Sequence, residues 1–214
     1  MKALLIANGC VENIQFYKEE VLSQTHYDII ICADGGIKNT LKLGLLPNIV
    51  MGDLDSIDVN ALDIIKKENI EIMKYPKEKD ETDTELVLDY LIDRGYESVT
   101  MIGCLGNRMD HSLANIYLLK KLLKNRVKAH IIDDKNDITL IDDEIVFVNK
   151  RNSIVSLIPL TDQVDGITSE GLYYPLDNSV MVKDKPYGIS NIVVENYAKV
   201  QINSGELLIL ISKD

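Results

Sequence analysis

The side chains best suited to chemistry in this sequence are carboxylates in two short motifs, Gly52-Asp53-Leu54-Asp55-Ser56 and Asp80-Glu81-Thr82-Asp83-Thr84-Glu85. Side chains alternate faces along an extended segment, so an Asp-x-Asp there turns both carboxylates to one side. An Asp-x-x-Asp at a helix start does nearly the same, because residues three apart are neighbours on a helix. Carboxylates brought together repel one another and are costly to desolvate. A hard divalent cation relieves both costs, and Mg²⁺ typically takes one or two carboxylates together with waters and substrate phosphates. The two motifs together point to a Mg²⁺-nucleotide site.

Further polar groups follow apolar runs. Asn8-Gly9 follows the run 3–7, and Asp34-Gly35-Gly36 follows 29–33. Gly103-Cys104-Leu105-Gly106-Asn107-Arg108-Met109-Asp110-His111 follows 99–102. Ligands of an open parallel sheet gather beyond the carboxyl ends of its strands, so these loops and the first acidic motif are expected to form one cleft. Gly35 and Gly36 allow close backbone approach to a nucleotide, or serve only a tight strand-to-helix turn. Arg108 offers the planar guanidinium that suits phosphate, or it pairs with Asp110. His111 reads as a packed helix-start residue or as a base. Lys77 and Lys79 either touch phosphate or are solvated. Asp55 or Ser56 suits the N-cap of the next helix. Thr82 and Glu85 match a capping box, with Asp83 in the first turn. A helix start is still a rigid mount for Asp80 and Asp83, so the cation candidates narrow to Asp53, Asp55, Asp80 and Asp83.

The elements that position these groups come in two rhythms. Over residues 1–133, apolar runs at 3–7, 29–33, 49–51, 70–75, 99–102 and 127–132 read as strands. Helical spacing covers 14–24, 59–68, 86–93 and 113–123, with Gly95 as a C-terminal cap. This alternation predicts an α/β domain built on a mostly parallel, Rossmann-like sheet. Over 138–214 the pattern changes to short runs at 138–141, 145–148, 154–157 and 172–174, and no convincing helix. The runs 199–202 and 207–211 flank Asn203-Ser204-Gly205, a hairpin signal. An all-β sandwich is expected there, joined to the first domain through Asp133-Asp134-Lys135-Asn136-Asp137.

Bulk properties narrow the partners. The 214 residues suffice for one large domain or two small ones, and 46% apolar with 27% charged residues is ordinary for a globular chain. The balance of 23 basic against 34 acidic residues gives −11, which excludes a basic stripe for nucleic acid and disfavours an anionic membrane surface. Cys10, Cys32 and Cys104 are few and widely spaced, so reduced thiols are expected rather than disulfides or zinc ligands. The first apolar run is too short for a secretion signal, and no run approaches a membrane span. A cytoplasmic protein is the expectation.

The ordered set of motifs resembles the thiamine pyrophosphokinases. Asp34-Gly35-Gly36, Gly52-Asp53-Leu54-Asp55-Ser56, Asp80-x-Thr82-Asp83 and Gly103-x-x-Gly106-x-Arg108-x-Asp110-His111 stand in that family's order. Gly166-Ile167-Thr168-x-x-Gly171-Leu172-x-Tyr174-Pro175-Leu176 and Gly188-Ile189-Ser190-Asn191, followed by Gly205-Glu206-Leu207-Leu208-Ile209, resemble its C-terminal signatures. The resemblance implies an α/β nucleotide-binding domain, a β-sandwich that binds thiamine, and a homodimer with sites where subunits meet. It implies transfer of the diphosphate of ATP to thiamine, releasing AMP. Asp53, Asp55, Asp80 and Asp83 would hold Mg²⁺ and phosphates as the catalytic set. Asn8, Asp34, Gly35, Gly36, Arg108, Asp110 and His111 would serve the nucleotide, and Ser190 and Asn191 the thiamine.

The chain departs from the family at Cys10, where many relatives carry glycine, and at Ile192, where an acidic residue often follows Ser-Asn. Animal relatives stack thiamine on a tryptophan, and this chain has none, so a tyrosine such as Tyr187 could substitute. In-line attack by the thiamine hydroxyl on the β-phosphorus follows, with one aspartate of the cluster accepting the proton. The competing readings are a pterin-alcohol pyrophosphokinase and a non-catalytic thiamine or nucleotide sensor.

Overall fold

A computed structural model describes residues 1–185 and 187–213, and the chain divides into two compact units, Met1–Asp134 and Lys135–Asp214. In the first unit the strands are β1 (Lys2–Ile6), β2 (Ile29–Ala33), β3 (Ile49–Gly52), β4 (Glu71–Lys74), β5 (Ser98–Ile102) and β6 (Lys128–Ile132). They lie in the order β6-β5-β1-β2-β3-β4, and every pairing is parallel. The central strands are buried on both faces, with Ala3, Leu4, Leu5 and Ile6 of β1 wholly covered, hence their unbroken apolar runs. The helices are α1 (Ile14–Phe16), α2 (Gly36–Lys42), α3 (Val59–Lys67), α4 (Asp83–Asp93) and α5 (Met109–Lys124). A core that includes Leu4, Ile6, Tyr17, Val21, Ile37, Val50 and Ile65 packs α1, α2 and α3 against the sheet.

One helical expectation changes and one unpredicted helix appears. The helix predicted over 14–24 is one α-turn that widens into π-helix over Tyr17–Leu22, marked by the Ser23 N–H donating to Lys18 O at 3.1 Å. Helix α2 has no strong sequence signal, because its Gly36 and Asn39 are poor helix formers. Tertiary packing decides it. A Cβ on Gly36 would lie 2.0 Å from Ile6 O, so only glycine lets α2 start this close to β1.

The second unit holds β7 (Asn136–Ile141), β8 (Glu144–Val148), β9 (Ile154–Pro159), β10 (Gln163–Glu170), β11 (Ser179–Val182), β12 (Asn191–Ile192), β13 (Tyr197–Gln201) and β14 (Leu207–Ser212). All pairings within it are antiparallel, in the orders β12-β9-β14-β7 and β11-β10-β13-β8. Phe147, Val164, Met181 and Val200 share one core with Val155, Leu157, Leu207 and Ile209, so the two sets face each other. The run 172–174 is not a strand; Leu172 makes only an isolated bridge to Val193. Asn203-Ser204-Gly205 is not a hairpin turn. β13 pairs with β8 and β10, whereas β14 pairs with β7 and β9, so the segment carries the chain between sheets. It does so because Asn203 N–H and Ser204 N–H both turn to Asp165 O instead of closing on β14. Among the described residues, no helix is long and apolar enough to cross a membrane.

Candidate active-site cleft

The strand order of the first unit reverses at β1, whose neighbours are β2 and β5, and the loops beyond these carboxyl ends form a cleft of about 880 Å³. Its walls come from the loops after β1, β2, β3 and β5 and from the segment before α4. Backbone bonds tie the walls together: Gly9 N–H donates to Gly103 O at 2.6 Å, and Cys10 N–H to Leu105 O at 2.7 Å. Side chains absent from the sequence expectations fix the rest. Asn39 donates to Ala7 O and Gly9 O at 2.8 and 2.9 Å, and Asn115 donates to Cys104 O at 2.8 Å. Ser112 Oγ accepts from Gly106 N–H at 3.2 Å. Burial pushes the Cys104 thiol up to about 12, so it lines the cleft as an inert neutral group.

The first acidic motif converges by a turn rather than by the pleat of a strand. β3 ends at Gly52, Leu54 adopts φ +69°, and Asp55 N–H donates to Asp53 Oδ1 at 3.0 Å. The cap of α3 is Asp58, which accepts from Ala61 N–H at 2.9 Å, so Asp55 and Ser56 are not that cap. A third carboxylate joins them. β2 and β3 pair Ala33 with Met51, which sets Asp34 beside Gly52. The positive φ of the Asp34-Gly35-Gly36 turn falls on Asp34, at +43°, and Asp34 N–H is held by Met51 O at 2.7 Å. Carboxylate oxygens of Asp34, Asp53 and Asp55 lie within 4.8 Å of one another. Asp34 Oδ1 is buried without a hydrogen-bond partner. Three converging hard oxygen donors, on residues one of which also carries an orphaned buried oxygen, fit a small divalent cation.

The second motif approaches from the other side. A Cβ on Gly52 would meet Asp34 Cβ at 2.9 Å and Asp83 Cγ at 3.2 Å, so both acidic side chains flank that glycine. Thr82 caps α4 by accepting from Glu85 N–H at 3.1 Å. Glu85 does not complete the expected capping box; its carboxylate accepts from Lys121 at 2.9 Å. Lys79 donates to Asp83 at 2.6 Å, and both side chains are mostly buried. Lys77 donates to Asp55 in the open, which holds the Asp55 carboxyl below its usual range.

The remaining predicted residues separate. Asn8, Arg108 and His111 line the cleft with Asp34, Asp53, Asp55 and Asp83; Asp80, Asp110, Gly35 and Gly36 do not. Gly35 instead makes room for Asn8, whose Nδ2 would lie 2.5 Å from a Cβ there. Arg108 makes a two-pronged pair with Asp110 at 3.2 and 2.5 Å, which brings the Asp110 carboxyl down to about 2. In the second unit Ser190 is exposed at φ +59°, while Asn191 is buried. The Asn191 amide is engaged: it accepts from Tyr174 N–H at 2.9 Å and donates to Tyr174 O at 2.7 Å.

Comparison with known proteins follows the same division. Residues 22–131 match the family model "Thiamin pyrophosphokinase, catalytic domain", and residues 142–207 match "Thiamin pyrophosphokinase, vitamin B1 binding domain". Thiamine pyrophosphokinase of Bacillus subtilis is 30% identical over 186 residues, covering 86% of this chain and 87% of that protein. The chain belongs to the thiamine pyrophosphokinase family. A crystal structure of the Bacillus subtilis thiamine pyrophosphokinase superposes with TM-score 0.88 at 26% identity, covering all of both chains. The thiamin pyrophosphokinase of Geobacillus thermodenitrificans superposes with TM-score 0.84 at 25% identity, over 100% of this chain and 98% of that one. The catalytic-domain match spans the cleft from Asp34 to Asn115, and the binding-domain match includes Ser190 and Asn191.

Proposed function

We propose that the protein transfers the terminal diphosphate of Mg·ATP to the hydroxyl of thiamine, giving thiamine diphosphate and AMP. The observation that carries this reading is the convergence of Asp34, Asp53 and Asp55, the first of which also carries an unsatisfied buried oxygen, in a chain of this family. Asp53 and Asp55, with Asp34, would hold Mg²⁺. Asp83 stands against the same loop, and Asp80 is exposed. When bound, the cation supplies charge neutralisation on the phosphates. The chain's own part is positioning. The Asn39, Ser112 and Asn115 anchors keep the cleft loops in one shape, so the phosphate chain is met by a preorganised wall. Arg108, steered by Asp110, presents a guanidinium where the departing AMP gains charge, with Asn8 and His111 beside it. An aspartate of the cluster takes the proton of the attacking hydroxyl.

In the second unit we assign thiamine to the Ser190-Asn191 turn, with Asn191 holding the Tyr173-Tyr174 segment in place. Exposed Tyr173, Tyr174, Tyr187 and Ile189 support a homodimer with substrate sites where subunits meet. The acidic balance and reduced thiols agree with a cytoplasmic enzyme without nucleic-acid or membrane partners. Incubation with Mg·ATP and either thiamine or a pterin alcohol, read by mass spectrometry, tests the substrate. Diphosphorylated thiamine is expected; diphosphorylation of the pterin alone would overturn the assignment.

A further inference from the structure

Five acidic residues of the cleft wall, Asp34, Asp53, Asp55, Glu81 and Asp83, share it with the cationic Lys77, Lys79 and Arg108. Arg108 is directed to Asp110, which is not part of the wall. The two lysines each hold a cleft carboxylate, but under opposite conditions. The Lys79 and Asp83 side chains are 13% and 25% exposed, whereas those of Lys77 and Asp55 are 77% and 48% exposed. An ion pair in open water contributes little and exchanges readily, while a mostly buried one strands a charge when it breaks. Of the two lysines, Lys77 is therefore the one free to change partner.

Asp55 has two claimants. It belongs to the three-carboxylate group that fits a divalent cation, and it is the acceptor of the Lys77 ammonium. A divalent ion at about 2.1 Å from an oxygen outcompetes a single charge at hydrogen-bond distance. The displaced ammonium stays anchored in the segment between β4 and α4, on a long flexible stem at the cleft wall. Resting on the reading that this cleft takes Mg·ATP, we infer that Lys77 is an exchange residue, holding Asp55 until the cation arrives and then passing to the phosphate chain. It is a positioning residue for Asp55 in the empty cleft and a phosphate contact in the loaded one.

Exchange has a signature of opposite signs. Lys77→Met removes a competitor of the metal but also a partner of the phosphates. Titration with Mn²⁺ alone, followed by the paramagnetic resonance of free Mn²⁺, is expected to show about three- to tenfold tighter binding than wild type. Calorimetry with Mg·ATP in the absence of thiamine is expected to show about tenfold weaker binding. Lys77→Arg should restore Mg·ATP affinity to within about threefold. Arg108→Gln, which removes a cleft cation not bonded to the carboxylate group, should leave Mn²⁺ affinity within about twofold. Unchanged or weaker Mn²⁺ binding by Lys77→Met would overturn the exchange, as would equal tightening by Arg108→Gln. Wild-type protein that binds neither Mn²⁺ nor Mg·ATP would overturn the reading of the cleft itself, and the exchange with it.

Discussion

The two acidic motifs reach the same cleft by different physics. Gly52-Asp53-Leu54-Asp55-Ser56 is a strained turn off a strand end, with its carboxylates half-exposed and one of them lightly held by Lys77. Asp83 sits on the first turn of a capped helix and is pinned by a mostly buried Lys79. The turn has carboxylates to offer a ligand, whereas the helix start has its charge already answered. Chemistry is expected on the side whose charge is held in open water, and rigidity on the side whose charge is held under cover.

Substitutions separate these roles. Asp53→Asn or Asp55→Asn removes a proposed cation ligand, and kcat is expected to fall about 10²- to 10³-fold or more in initial-rate assays, with the thermal midpoint retained. Full activity in either variant would break the comparison. Gly52→Ala should cost about 1–3 kcal/mol in denaturant melts, since φ is +149° and the new Cβ meets Asp34 and Asp83. It should lower activity as well, because both motifs move. Lys79→Met strands Asp83 and should cost about 1–3 kcal/mol. Lys77→Met should leave the thermal midpoint in place, and that contrast sharpens the distinction between the two lysines. Thr82→Ala loses the α4 cap, at about 1 kcal/mol.

The smallest effect concerns pH. Asp110 is lowered to about 2 by Arg108, so the pair's contribution is complete above the ordinary carboxyl range near 3.8 and is lost as pH falls through about 2. In Arg108→Gln, NMR titration should find the Asp110 carboxyl back near its ordinary value.

The parallel strands and the cleft's location were readable because buried strands carry long apolar runs and their loops carry the polar residues. From the sequence, Asp34 reads as a nucleotide contact and not as a cation candidate. Its nearness to Asp53 comes from the Ala33–Met51 register, which residue spacing along the chain does not encode. The same limit explains Asn203-Ser204-Gly205: its composition signals a turn, but which strands the turn joins depends on Asp165, far away in sequence. β10 carries no strand signal because its 163–170 segment mixes Gln, Asp, Gly, Thr and Ser with few apolar residues. The pairing of Glu85 with Lys121 shows a tertiary partner overriding a local cap.

The most direct test is the nucleotide product. Purified protein is incubated with Mg·ATP and thiamine, and the nucleotides are resolved by ion-exchange chromatography. Stoichiometric AMP with thiamine diphosphate is the expected result; ADP with thiamine monophosphate would contradict diphosphate transfer at this carboxylate turn.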